Sequence, residues 1–136
     1  MDLFLNYLSY AGLGFLLLLI GFALFELSTK TKELKLIAQG NVAAALVIGG
    51  KLLGLAFVLG SAIANSVNLI DMLIWGAVGI LSQIILYILI ELLTFRFNIK
   101  DAIEKNNTAV GTVLLLISLS VGWVIAQCLT YSRNHL

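Results

Sequence analysis

Four long apolar segments, separated by short polar links, are the feature that most constrains how this chain can fold. A helix needs about 20 residues to cross the ~30 Å hydrocarbon core of a bilayer. Helices are the form to expect, because a lone strand in lipid leaves its backbone groups unpaired and no segment alternates with a period of two. We expect the spans at Tyr7–Leu27, Val42–Ala64, Met72–Leu93 and Thr108–Tyr131.

The composition excludes a water-soluble domain. Hydrophobic residues make up 61% of the 136 residues and charged residues 11%, whereas globular domains carry roughly 45–50% and about 25%. The net charge of +1 gives no basic surface beyond the links described below, so no nucleic-acid binding is predicted. Met1–Tyr10 contains no Lys or Arg, so we expect the first span to be retained and not removed as a signal peptide.

The basic residues indicate an orientation in the membrane. Most of them lie in two links, one between spans 1 and 2 and the other between spans 3 and 4. They are Lys30, Lys32, Lys35, Arg96, Lys100 and Lys105. By the positive-inside rule, both links are cytoplasmic and both termini are outside.

Each link also has the pattern of a short amphipathic helix at the membrane interface. The two segments are Lys30–Gln39 and Asn98–Lys105, and Asn98 with Asp101 resembles a capping box. Two interpretations stay open. We favour a helical extension that turns the chain, and the other is a surface for lipid or a partner.

The two halves of the chain repeat one another, which predicts a pseudo-twofold bundle. Several residues of span 1 recur 65 positions later, among them Gly14 as Gly79 and Glu26 as Glu91. After a slip of one residue, the predicted helix caps Asn41 and Asn107 also correspond. Both copies begin on the same side of the membrane, which predicts parallel repeats. The fold class is therefore all-α, with four transmembrane helices in one membrane domain, residues 1–136, whose repeats cover approximately 7–66 and 72–132.

Small residues at four-residue steps predict where helices pack. In lipid, helices associate through close packing and hydrogen bonds, so small residues mark contact faces. The predicted packing residues are Gly50, Gly54, Gly60, Ser118, Gly122 and Ala126. Span 2 has more small residues than one neighbour requires, so we expect a homo-oligomer, although packing inside one chain remains an equal alternative.

Lys51 is the residue within the spans that most invites a functional interpretation. It lies ten positions after Asn41, or about 15 Å into the membrane. A cation at that depth costs at least ~2.5–3.5 kcal/mol, so it should face protein, water or a partner. One interpretation is an ion or lipid-headgroup contact inside a cavity. The favoured one is a structural lysine, hydrogen-bonded or at a subunit contact, because no acid shares its depth.

Three other polar residues complete the candidate intramembrane site. Glu26 and Glu91 are the acids nearest to Lys51 by depth and could form a symmetric pair, although interfacial acids beside lysines are the simpler interpretation. Gln83 is expected to form a hydrogen bond between helices.

We find no constellation of catalytic residues. His135 lies in the tail, Cys128 has no base nearby, and no metal or phosphate motif is present. We therefore predict no enzymatic activity, no metal and no cofactor.

A run of motifs covering nearly the whole chain carries a resemblance to a known family. The motifs are FELSTKTKELK at Phe25–Lys35, GNVAAA at Gly40–Ala45, GSAIANS at Gly60–Ser66 and DMLIWG at Asp71–Gly76. With them the chain resembles the bacterial domain-of-unknown-function family numbered 350, small inner-membrane proteins with four spans and two repeats. The resemblance implies a multi-pass protein of the bacterial inner membrane. Lys51 departs from it, since an uncharged residue is expected there.

The resemblance and the residues together lead to two function hypotheses. Family members look like genomic neighbours of phage-shock-type envelope proteins, which implies a link with envelope maintenance or stress. The leading hypothesis is a non-enzymatic oligomeric platform for lipids or partners, with an envelope-stress protein at the basic links as the candidate partner. The alternative is a small oligomeric ion channel or transporter with Lys51 in a polar pathway. An enzyme acting on lipids would need a convergent polar cluster, which the sequence does not predict.

Overall fold

The computed structural model describes residues 2–29, 33–94 and 98–134, and these residues form helices without any strand. Among them, four helices are long and apolar enough to cross a membrane: α1 (Leu3–Ser28), α3 (Val42–Ala64), α4 (Leu69–Thr94) and α6 (Thr108–Asn134). Two helices of six residues join them: α2 (Glu33–Ala38) and α5 (Ile99–Glu104).

The all-helical membrane architecture predicted from the sequence is confirmed. The span at 42–64 has the expected bounds, whereas α1 and α4 each begin about one turn earlier than predicted. Three of the basic residues and the histidine used in the predictions fall outside this description. Lys30, Lys32, Arg96 and His135 lie beyond the described residues.

The turns that lead into α3 and α6 have the same form. Asn41 Oδ1 accepts a hydrogen bond from Ala44 N–H at 2.8 Å, and Asn107 Oδ1 accepts one from Val110 N–H at 3.2 Å. Each bond satisfies one of the free N–H groups at a helix N-terminus. The preceding residues, Gly40 and Asn106, have φ angles of 85° and 60°, a left-handed conformation that Gly and Asn adopt most readily.

Helices α3 and α6 form the central pair of the bundle. A Cβ atom added to Gly50 would lie 2.7 Å from the Leu115 Cα, and one added to Gly122 would lie 2.7 Å from the Gly54 Cα. The two backbones thus lie closer together than they could if either glycine carried a side chain. Such an approach maximises dispersion contacts between helices, which is the main source of helix association in lipid.

The predicted packing residues divide into two groups. Five of them, Gly50, Gly54, Ser118, Gly122 and Ala126, are buried at contacts within this chain. The packing of Gly60 stays a prediction, because within one chain Gly60 is exposed and a Cβ atom there would meet nothing within 4 Å. Periodicity shows which face of a helix is small, but not whether a neighbour covers it.

Helices α1 and α4 pack on the outside of the central pair, and α1 is the less buried. In the most apolar stretch of α1 only 17% of the residues are buried, whereas in the corresponding stretch of α3 56% are buried. Its buried positions fall about one per turn: Gly14, Leu17, Gly21 and Phe25. Most of the other apolar side chains of α1 are exposed or only partly buried.

Candidate functional site

Lys51 lies wholly inside the bundle, and its ammonium group meets two acids. The side chain is 0% exposed. Nζ donates hydrogen bonds to Glu26 Oε1 and Glu33 Oε1, both at 2.9 Å, and to Thr29 Oγ1 at 3.1 Å. An ammonium group has three protons to donate, so all of them are used. One atom of α3 therefore ties together the end of α1 and the beginning of α2.

Two aromatic rings close the ammonium site. The centroids of Phe25 and Tyr87 lie 5.2 and 5.9 Å from Lys51 Nζ, within the range of a cation–π contact. The two rings meet edge to face at 4.9 Å. We call these six residues the Lys51 cluster: Phe25, Glu26, Thr29, Glu33, Lys51 and Tyr87.

Helix geometry explains why Lys51 reaches acids that lie far from its own level. Side chains lean toward the N-terminus of their helix, so the lysine extends toward the start of α3. Glu26 and Glu33 both lie at that end of the bundle. We expected no acid at the depth of Lys51 in the membrane. This expectation is wrong for the ammonium group, because the depth was taken from the position of the Cα atom and not from the end of the side chain.

Glu26 and Glu91, the repeat-related acids, occupy different environments. Glu26 bonds to Lys51, whereas Glu91 lies one turn after Tyr87 on α4 and lines the cleft beside the cluster. Gln83 Nε2 on α4 donates to the Ser118 carbonyl oxygen on α6 at 3.1 Å. The structure thus brings Glu26 to Lys51, leaves Gln83 with a partner on α6, and places Glu91 at the cleft.

Four members of the cluster were not predicted from the sequence: Phe25, Thr29, Glu33 and Tyr87. Glu33 is 2% exposed although it begins a short helix next to a basic link. It shares a helix face with Leu36 and Ile37, at the three- and four-residue steps of an apolar stripe. An acid in such a stripe is a sign of a buried partner, and that signal was present in the sequence.

Burial dominates the electrostatics of Glu33. Loss of hydration raises the pKa of Glu33 to about 7, while the positive charge of Lys51 acts in the opposite direction. The neighbouring Glu26 carboxyl also favours the protonated form of Glu33. Glu33 thus exchanges a proton near neutral pH.

One oxygen of Glu33 remains without a donor. Oε1 binds Lys51, but Oε2 is buried and receives no hydrogen bond from any residue in the described part of the chain. A buried carboxylate oxygen without a donor loses its hydration and gains nothing in exchange. Within the Lys51 cluster, Glu33 Oε2 is therefore an acceptor whose hydrogen-bonding capacity is unused.

Beside the cluster lies a cleft with a volume of about 440 Å³. Glu33, Lys51 and Glu91 line its inner end, and Lys100 on α5 lines it as an exposed side chain. Apolar side chains of α4 and α5, including Leu92, complete the wall. We call this space the charged cleft. It offers charges of both signs next to an apolar surface.

Further polar groups follow the inner face of α3 away from the cluster. Gln83 and Ser118 are fully buried, and Gln83 Oε1 and Ser118 Oγ have no hydrogen-bond partner among the described residues. Farther along, Ser61 Oγ lies 2.8 Å from Thr130 Oγ1, and Asn65 Nδ2 donates to that same atom at 3.0 Å. Polar side chains thus recur at several levels of the bundle.

Metal-binding chemistry has no candidate in the described part of the chain, where no three His, Cys, Asp or Glu side chains are grouped to hold an ion. Cys128 is exposed on α6. The convergent groups of the site are therefore carboxylates, one ammonium and hydroxyls.

Comparison with known proteins places the chain in a family. The family model described as Domain of Unknown Function (DUF350) matches residues 1–129, and the chain belongs to this family. The resemblance drawn from the motifs is thus confirmed. No solved structure matches the chain.

Two relatives match over most of their length. The UPF0719 transmembrane protein YshE of Bacillus subtilis (strain 168) is 37% identical over 118 residues, which cover 87% of this chain and 88% of the relative. The UPF0719 inner membrane protein YjfL of Escherichia coli (strain K12) is 28% identical over 131 residues, or 96% and 98%. These names support a multi-pass membrane protein and describe no activity.

Proposed function

We propose that this member of the family is a non-enzymatic membrane platform that uses the charged cleft to bind a lipid headgroup or a cytoplasmic partner. The observation that carries the proposal is the arrangement of the Lys51 cluster. Its ammonium group is fully bonded inside the protein, while the cleft beside it presents Glu33, Glu91 and Lys100 to a ligand. All three protons of the Lys51 ammonium group are used in hydrogen bonds, and the carboxylates beside it are not aligned with a nucleophilic group. The site can therefore bind a ligand but offers no evident nucleophile.

The proposal includes an orientation with the cleft in the cytoplasmic leaflet and both termini outside. Lys35, Lys100 and Lys105 are exposed on or next to the two short helices, as the positive-inside rule requires for cytoplasmic links. The matching turns before α3 and α6, whose left-handed residues Gly40 and Asn106 are 66 positions apart, support the arrangement as parallel repeats.

Self-association is the third element of the proposal. Ala56 and Gly60 of α3 line a mostly apolar groove of about 190 Å³ next to α1. Gly49 and Gly60 have open space where a side chain would be, which supports contacts with another copy through this face. A link with envelope stress, through a cytoplasmic partner at the basic links, rests on the family resemblance.

The platform is tested by isolating the protein from its native membrane in lipid nanodiscs. We expect an oligomer that retains lipid or captures a cytoplasmic protein, and loss of capture when Lys35 and Lys100 are changed to Glu. A strictly monomeric protein that holds neither lipid nor partner would refute the proposal.

A second candidate, an ion or proton pathway, is favoured by the polar groups along the inner face of α3. Gln83 and Ser118 lie between the Lys51 cluster and the Ser61–Thr130 pair. The test is flux of protons, sodium and potassium into liposomes. A pathway predicts flux that changes with Lys51→Met and not with Lys105→Met, and absence of flux in all three proteins would remove this candidate.

A further inference from the structure

We infer that the charged cleft is a binding site for a primary ammonium group, with Glu33 Oε2 as its principal acceptor. The ammonium group can be carried by an aminophospholipid headgroup or by a soluble amine. The inference rests on the proposed function, because it names the ligand chemistry of the same cleft.

The unsatisfied oxygen of Glu33 points to a hydrogen-bond donor as the ligand. Glu33 is 2% exposed, lines the cleft, and leaves Oε2 without a donor from the described residues. A ligand that donates a hydrogen bond to this atom removes the cost of leaving it unpaired, and a charged donor does so most strongly. The site therefore selects donors over acceptors.

The charge of the cleft points to a cation. Glu26 and Glu33 share the buried ammonium group of Lys51, and Glu91 lines the same cleft, so the inner end of the cleft carries excess negative charge when its acids are ionised. A cation relieves this excess, whereas a phosphate group at the same place would increase it. Lys100 is exposed and can pair with an anionic group of the same ligand.

The Lys51 cluster itself shows what the local chemistry binds. Two carboxylates, a hydroxyl and two aromatic rings already hold one primary ammonium group, at bonding distances of 2.9 to 3.1 Å. Glu33 contributes one oxygen to that group and has the other available for a second. Glu91 adds another carboxylate on the α4 side of the cleft.

The surroundings of the cleft favour a lipid as the source of the ammonium group. The volume of about 440 Å³ exceeds what a phosphoethanolamine headgroup occupies. Leu92 lines the cleft and is 68% exposed on the outer face of α4, so the space continues onto an apolar surface that acyl chains can follow. Ethanolamine phospholipids supply an ammonium group, a phosphate for Lys100 and these chains.

The site also makes binding depend on pH. The charged and titratable groups beside Glu33 are Glu26 on α1, Lys51 on α3 and Tyr87 on α4, and Glu91 lines the same cleft. Protonated Glu33 is neutral and attracts a cation weakly, while ionised Glu33 attracts it strongly. Because the pKa of Glu33 is about 7, ammonium binding should tighten as the pH rises from 6 to 8.

The test compares lipids that differ only in the donors on nitrogen. The full chain is mixed with phosphatidylethanolamine, phosphatidylcholine or phosphatidylglycerol of identical acyl chains, and bound lipid is counted by native mass spectrometry. We expect phosphatidylethanolamine to bind at least about tenfold more tightly than phosphatidylcholine, whose trimethylated nitrogen donates no hydrogen bond, and Glu33→Gln to abolish the preference. Glu104→Gln, an exposed change on α5, is the matched control and should retain it.

Each outcome decides between defined alternatives. Free ethanolamine measured by calorimetry separates the sources: binding of lipid alone supports the headgroup, and binding of both supports any primary amine. Equal binding of the three lipids by the unaltered chain overturns the inference even if Glu33→Gln fails to fold. That result leaves the platform intact, since lipid is still retained, whereas absence of bound lipid together with a monomeric state overturns both.

Discussion

Replacing Lys51 with methionine tests whether the ammonium group locks three helices together. The substitution keeps an unbranched apolar side chain, one atom shorter than that of lysine, and removes the charge and all three hydrogen bonds, to Glu26, Thr29 and Glu33. Removing one partner of a buried ion pair costs about 3–5 kcal/mol, because the other partner stays buried without compensation. We expect a loss in this range at pH 8, where Glu33 would otherwise be ionised.

The magnitude should depend on pH in a way that a simple packing defect would not. At pH 5, Glu33 is protonated in the folded chain, because its pKa is about 7, and only Glu26 then loses a charged partner. The loss caused by Lys51→Met should therefore be smaller at pH 5 than at pH 8. Equilibrium unfolding in mixed micelles with increasing SDS, followed by circular dichroism, measures both values.

The chain provides a matched control in a second lysine–acid pair. Lys105 Nζ lies 3.0 Å from Asp101 Oδ2, but the two side chains are 75% and 53% exposed. Exposed pairs at this spacing contribute about 0.3–0.5 kcal/mol, so Lys105→Met should be almost neutral. If Lys51→Met destabilises the protein no more than Lys105→Met does, the ammonium lock is refuted.

Three further predictions concern pH, packing and capping. The free energy of unfolding should fall by about 3 kcal/mol as the pH rises from about 4.5 to about 7, because the raised pKa of Glu33 makes the folded chain bind the proton more strongly than the unfolded chain does. Melting curves recorded across this pH range measure the change, and Glu33→Gln should abolish it. Gly122→Val should destabilise the bundle by about 1–3 kcal/mol or more, since its Cβ atom would lie 2.6 Å from a backbone oxygen of α3, whereas Gly60→Ala should be neutral in a monomeric detergent-solubilised sample. Asn41→Ala should cost about 1–2 kcal/mol in the same unfolding assay, because it removes a helix cap and a hydrogen bond to the Ile103 carbonyl oxygen at 2.6 Å.

The spans were predictable because hydropathy and length are local properties of a sequence. Val42–Ala64 is bounded by a capping Asn and a polar turn, so both of its ends were found. The starts of α1 and α4 were missed because Leu3 and Leu69 begin apolar turns beyond the window needed to cross the bilayer. Composition thus determines that a helix exists, and less firmly where it begins.

The Lys51 cluster was only partly predictable because it depends on how elements are oriented about one another. Depth along a helix axis identified Glu26 as a near acid, but depth does not describe the reach of a lysine side chain. Glu33 contacts Lys51 only because the six-residue α2 folds back against α3, an arrangement set by long-range packing. Tyr87 joins through the rotation of α4, which no local pattern specifies.

The sparse packing of α1 gives the lysine lock its importance. Outside the cluster, α1 is held through Gly14, Leu17 and Gly21, apolar contacts that specify a distance between helices more strongly than a register along them. The hydrogen bonds from Lys51 Nζ to Glu26 and Thr29 have direction, so they fix both the rotation and the height of α1. Glu33 accepts a hydrogen bond from the same ammonium group. When Glu33 binds a proton or an external ammonium group, the distribution of the Lys51 hydrogen bonds among Glu26, Thr29 and Glu33 changes. Occupancy of the charged cleft is thereby coupled to the helix that is held least firmly by the rest of the bundle.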